Sequence, residues 1–181
     1  SARTGCFAAS KLEMKRMTRA EIDEQTREDW RDLGFFYDQD KDARCWRLIG
    51  SKSGLLKFST ILNDYVADER NAALSEHEHY GPYWYLKIIT WNEAIITEDD
   101  ISGTMDDFRR LAEIVRQRLE NVLPGDAFEI DKEYAPNNEY KLRFEVREDG
   151  FNPAEEDPLE YPSNSDNKSL ISRVWNKLFS G

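Results

Sequence analysis

Tyr140-Lys141-Leu142-Arg143-Phe144-Glu145-Val146-Arg147 alternates without a break between bulky apolar and charged residues. Successive side chains of a strand point to opposite faces, so Tyr140, Leu142, Phe144 and Val146 share one face and the four charged residues the other. A strand with one wet face belongs to a sheet covered on its other side. Upstream lies a second candidate strand, Phe128 to Tyr134. Ala135-Pro136-Asn137-Asn138-Glu139 between them carries turn chemistry, so the region reads as a hairpin. Phe35-Phe36-Tyr37 and Cys45-Trp46-Arg47-Leu48-Ile49, flanking the polar run Asp38 to Arg44, read as another. Tight hairpins predict a mostly antiparallel sheet with helices packed on one face, an α+β fold.

The helices announce themselves by caps and stripes. Thr18-Arg19-Ala20-Glu21 is a capping box, followed by Ile22, Thr26, Trp30 and Leu33 at helical spacing and by Gly34 as a stop. Leu55, Phe58, Leu62 and Tyr65 mark a second helix after Ser53-Gly54. Thr104-Met105-Asp106-Asp107 resembles a capping box with Asp in place of Glu. The stripe Met105, Phe108, Leu111, Ala112, Val115, Leu119 and Val122 then runs to Pro124-Gly125. Asp68 to Pro82 reads as an acid-rich loop and 94–103 as a short edge strand. Tyr83 to Trp91 carries bulky residues on both faces, Lys87 excepted, and reads as a central strand covered on both sides. No internal repeat is visible.

Residues 1–16 lack periodicity and read as an expression-derived or disordered leader. A single α+β domain is expected over 17–147. Glu148 to Glu160 holds six acids, two prolines and no base, so 148–163 reads as an extended acidic arm. Within 164–181, Leu170, Ile171, Val174, Trp175 and Leu178 share one face of an amphipathic tail helix.

Composition bounds the function. Hydrophobic residues are 39% and charged residues 34%, but nine Phe, eight Tyr and five Trp supply core area, each ring burying roughly 150–250 Å². The net charge is −11, and residues 1–16 carry +3, which leaves −14 on the remainder. Such a surface repels nucleic acid, weighs against an anionic membrane, and attracts basic proteins. Two cysteines, Cys6 and Cys45, make no disulfide framework and fit a reducing cytoplasm. No apolar run approaches the ~20 residues of a membrane span.

Chemistry-bearing residues gather in one stretch. Both histidines, His77 and His79, stand one residue apart, next to Glu76 and Glu78. Zinc needs three or four N, S or O ligands, so a carboxylate would have to complete that pair. The simpler expectation is a solvated loop whose histidines cap the following strand or hydrogen-bond a carboxylate. Tyr80, Tyr83, Trp84, Tyr85 and Trp91 crowd the same region. Aromatic platforms read single-stranded nucleic acid only beside a basic groove, and this surround is acidic. As anchors of a protein interface they fit better. Gly50-Ser51-Lys52-Ser53-Gly54 lacks the spacing of a phosphate loop and reads as a turn plus N-cap. No motif implies a cofactor.

The run from His77 to Trp91, with Ile101 to Phe108 and Val146 to Phe151, resembles a group of small uncharacterised bacterial proteins over roughly residues 28–160. The resemblance implies no activity, cofactor or catalytic residue. In general style, small, acidic and intracellular, the group is similar to immunity proteins of bacterial toxin systems. The expectation is therefore a binding protein and no enzyme, engaging a basic partner such as a toxin through Tyr80, Tyr83, Trp84, Glu76 and Glu78. One alternative is a small metal-dependent enzyme using His77, His79 and a carboxylate. Another is a structural or adaptor subunit held in an assembly by the tail helix.

Overall fold

A computed structural model of the protein describes residues 17–159. The expected leader, the tail helix and the last residues of the acidic arm lie outside them. In chain order the elements are α1 (Arg19–Leu33), β1 (Phe36–Asp40), β2 (Cys45–Ser51), α2 (Lys52–Ala67), β3 (His77–Tyr80), β4 (Leu86–Thr90), β5 (Ile95–Ile96), β6 (Ile101–Gly103), α3 (Met105–Glu120), β7 (Ala127–Ile130) and β8 (Lys141–Arg147). Short 3-10 turns form at Glu69–Ala72 and Pro153–Glu155.

The fold is α+β with mostly antiparallel pairing. Its strands divide between two four-stranded sheets, β1-β2-β8-β7 and β3-β4-β6-β5. Each sheet is two antiparallel hairpins joined by one central parallel pairing, β2 with β8 and β4 with β6. Helices α2 and α3 pack on each other and on the sheets. The alternation of 140–147 is realised: Leu142, Phe144 and Val146 are fully buried, while Lys141 and Arg143 pair with Glu129, and Arg143 and Arg147 with Glu145, on the wet side.

The chain repeats itself, contrary to the sequence reading. Residues 36–90 and 95–147 each run hairpin, helix, hairpin, and each sheet takes its first hairpin from one half and its second from the other. The helices correspond position by position. Counting from the N-caps Ser51 and Thr104, Leu55 matches Phe108, Phe58 matches Leu111, Ser59 matches Ala112 and Leu62 matches Val115, and all eight are buried. The small pair Ser59 and Ala112 lets the helices touch, with Ser59 Oγ donating to the Ala112 carbonyl at 2.8 Å.

Several expectations are corrected. Tyr83 to Tyr85 is not strand; β4 begins at Leu86 and is buried on one face only, through Leu86, Ile88 and Thr90. Lys87 reaches Asp100, at 3.0 Å, across the open face. The loop expected over 68–82 contains β3, and the edge strand expected over 94–103 is two strands, of which β6 lies inside its sheet. The described part of the acidic segment is not extended. It folds back on α1, burying Pro153 and Ala154. Cys45 is buried, and burial pushes its thiol up to about 11, so it stays protonated at neutral pH.

Candidate interaction surface

The turn between β3 and β4 carries the aromatic residues that the sequence singled out. Gly81 sits at φ 82°, and a Cβ there would meet the Tyr37 ring at 2.7 Å, so both the backbone and the space demand glycine. Trp84 N–H closes the turn on the Gly81 carbonyl at 3.2 Å. Trp84 itself has φ 57°, a left-handed conformation that costs a bulky residue about 1–2 kcal/mol. The turn is held from outside. His79 Nδ1 lies 2.7 Å from the Trp84 carbonyl, which only accepts, so Nδ1 carries the proton. The consequence of this conformation is display: Trp84 is 52% exposed and Tyr85 54%.

The two histidine rings stand 5.3 Å apart, edge to face. His77 Nδ1 bonds the Ser75 carbonyl at 3.1 Å, so both imidazoles spend Nδ1 on backbone. Among the described residues no group of three or more His, Cys, Asp or Glu stands close enough to hold a metal ion. The histidines shape the turn and help line a shallow depression of about 550 Å³ with Trp84, Tyr85, Lys87 and Asp99.

The other expected contact residues separate into two groups. Glu76 is exposed. Glu78 and Tyr80 are turned into the domain: Asn71 Nδ2 donates to Glu78 at 2.8 Å, and Tyr80 donates its hydroxyl to the other Glu78 oxygen at 2.8 Å. Burial, then the hydrogen bond to Glu78 and its charge, pushes the Tyr80 hydroxyl far above its ordinary value. The Asn71–Glu78 bond ties β3 to the 3-10 turn at 69–72. Tyr83 is half-buried and donates its hydroxyl to Asp157 at 2.7 Å.

Tyr85 counts among the crowded aromatics of the sequence but not among the expected contact residues, and Asp157 among neither. Tyr85 lines a second pocket of about 340 Å³ walled by Trp30, Tyr37, Trp46 and Tyr83, and so borders both concavities. Asp157 reaches this wall because the acidic segment folds back, placing its carboxylate 2.7 Å from Trp30 Nε1. Nothing local marks Asp157, since its partners lie 74 and 127 residues upstream. Leu74 and Trp91 are also exposed, at 52% and 44%, beside another depression at the start of α3. No family model matches this chain, and no curated protein or solved structure matches it either.

Proposed function

We propose that this domain is a binding module that performs no reaction and engages a basic protein, as an immunity or antitoxin-like inhibitor does. The observation that carries the reading is the turn 81–85. It holds Trp84 in a strained backbone conformation and leaves Trp84 and Tyr85 half in water, on a chain of net charge −11. Strain maintained at a surface turn points to a use for the residue it displays. Large aromatic side chains are the commonest energetic anchors of protein contacts. Exposed Asp99 lines the same depression as Trp84 and Tyr85, and the −14 outside the first sixteen residues would steer a cationic partner toward it.

The test is quantitative. Basic proteins recovered on the immobilised domain are purified, and their affinity is measured at low and high salt. The expected result is an association that weakens steeply with ionic strength. Trp84→Ala and Tyr85→Ala should each cost about 2 kcal/mol or more of binding while leaving the melting temperature within a few degrees. Affinity indifferent to salt, or indifferent to both substitutions, overturns the reading.

A further inference from the structure

The 340 Å³ pocket beside the turn has an unusual wall. Trp30, Tyr37 and Trp46 are 1%, 4% and 2% exposed, so they belong to the core, yet they line a surface concavity. Their rings form a connected set with those of the turn. Trp30 meets Tyr37 at 5.2 Å and Tyr83 at 6.1 Å, both edge to face; Tyr37 meets Trp46 at 6.1 Å, and Tyr83 meets Tyr85 at 5.9 Å. Their polar tips are fixed by the fold. Trp46 Nε1 donates to the Thr97 carbonyl at 2.9 Å and the Tyr37 hydroxyl to the Tyr80 carbonyl at 2.7 Å. Such rings lose little freedom when a ligand arrives, which favours binding.

The charge in this wall is what identifies an occupant. Asp38 also borders the pocket, but Arg47 grips it with two guanidinium nitrogens. Lys41 at the rim is held by Glu98. Asp157 differs from both. One of its oxygens accepts from Trp30 Nε1 and the Tyr83 hydroxyl, the other from the Leu159 amide, and all three donors are neutral. Among the described residues no base pairs with Asp157. A half-buried carboxylate among aromatic rings, with no cation paired to it among the described residues, suits a cation better than any neutral ligand. The ring quadrupoles add attraction of the same sign.

We propose that this pocket receives a cationic side chain, lysine or arginine, presented by the partner protein, with Asp157 as its counter-ion and Trp30, Tyr37, Trp46, Tyr83 and Tyr85 as its aromatic wall. The inference rests on the reading of the domain as a module for a basic protein, and it names the subsite that would read one residue of that partner. The half-exposed Tyr85 is the movable side of the wall, since it alone of these rings stands more than half in water.

Small probes test the pocket without the partner. Nα-acetyl-lysine methylamide, its arginine counterpart and the neutral norleucine analogue are titrated into the full chain, following the indole N–H resonances of Trp30 and Trp46. The cationic probes should shift both resonances and bind at least tenfold more tightly than norleucine. Asp157→Asn should abolish that tenfold preference. Tyr85→Ala, which removes no side-chain hydrogen bond among the described residues, should weaken the cationic probes several-fold with the melting temperature unchanged, and so keeps the test valid if Asp157→Asn fails to fold. Equal affinity for norleucine, or no shift with any probe, overturns the pocket. The two readings fail separately. Salt-sensitive partner binding that Trp84→Ala weakens and Asp157→Asn leaves unchanged removes the pocket alone, whereas lysine binding by a domain that retains no basic protein removes the partner.

Discussion

Gly54 occupies a place where a single added carbon meets backbone. A Cβ there would lie 2.1 Å from the Gly34 carbonyl oxygen and 3.1 Å from its carbon. Gly34 is the left-handed C-cap of α1, and Gly54 lies in the first turn of α2, so the end of one helix rests on the start of the next. This explains a run, Gly50 to Gly54, that has the look of a phosphate loop without its spacing: the glycine serves close packing, and Ser51 caps α2 by accepting from the Gly54 amide at 3.2 Å. Gly54→Ala gains roughly 0.5–1 kcal/mol of helix propensity and loses more to overpacking against atoms that cannot rotate away. The net expectation is a loss of about 1–3 kcal/mol, read as a lower urea midpoint at unchanged slope. A variant as stable as the parent shows that α1 and α2 separate freely. At this scale the sequence named the turn aromatics and both histidines, but not what each touches. Glu78 and Tyr80 looked like surface contacts and are internal partners of each other, a fact that depends on β3 pairing with β4.

At the level of elements, capping boxes were legible and loop aromatics were not. Thr18 with Glu21, and Thr104 with Asp107, close the reciprocal bonds their spacing predicts, because those bonds need only local backbone geometry. Alternation places Tyr83-Trp84-Tyr85 in a strand because it counts bulky side chains without knowing where they lie. The turn set by Gly81 displays Trp84 and Tyr85 and leaves Tyr83 half-buried, so bulk at successive positions does not mean double burial here. The α3 cap gives a pH-dependent test. Burial alone would raise the Asp107 carboxyl, but the Thr104 amide and hydroxyl together with the Arg110 guanidinium hold it below its ordinary 3.8. A carboxyl depressed in the folded state stabilises the fold above pH 3.8, and that contribution is lost as the pH falls through the folded value. Asp107→Asn should therefore lower stability at pH 7 by about 0.5–1.5 kcal/mol. The gap between variant and parent should close as the pH drops from about 4 toward 2. Paired denaturation curves across that range decide it; a constant gap shows that the cap acts through shape and not charge.

Across the whole molecule, the exchange of hairpins between the two halves governs how it holds together. The repeat escaped sequence reading because it is kept in class and position, not identity: Leu55 stands for Phe108 and Ser59 for Ala112, while five-residue β1 corresponds to two-residue β5. What the halves share is where apolar side chains fall after each N-cap, and a search for repeated letters does not see that. The consequence is mechanical. Both central parallel pairings, β2 with β8 and β4 with β6, join one half to the other, as does the contact of α2 with α3. A half alone would keep two separate hairpins and one helix face without cover, and an isolated hairpin is at best marginally stable in water. The chain divided in the connection between β4 and β5, into residues 17–92 and 93–159, should therefore give two fragments with no cooperative thermal transition of their own. Mixed in equal amounts, they should recover native near-ultraviolet dichroism as a one-to-one complex. The same logic predicts slow folding for this size, since β2 must find β8 across nearly a hundred residues before the first sheet closes. If either fragment alone shows a cooperative transition, the domain is two units side by side. The surface turn at 81–85 would then belong to the first of them, and its pocket would open whenever the 151–159 segment, carried by the second, lets go.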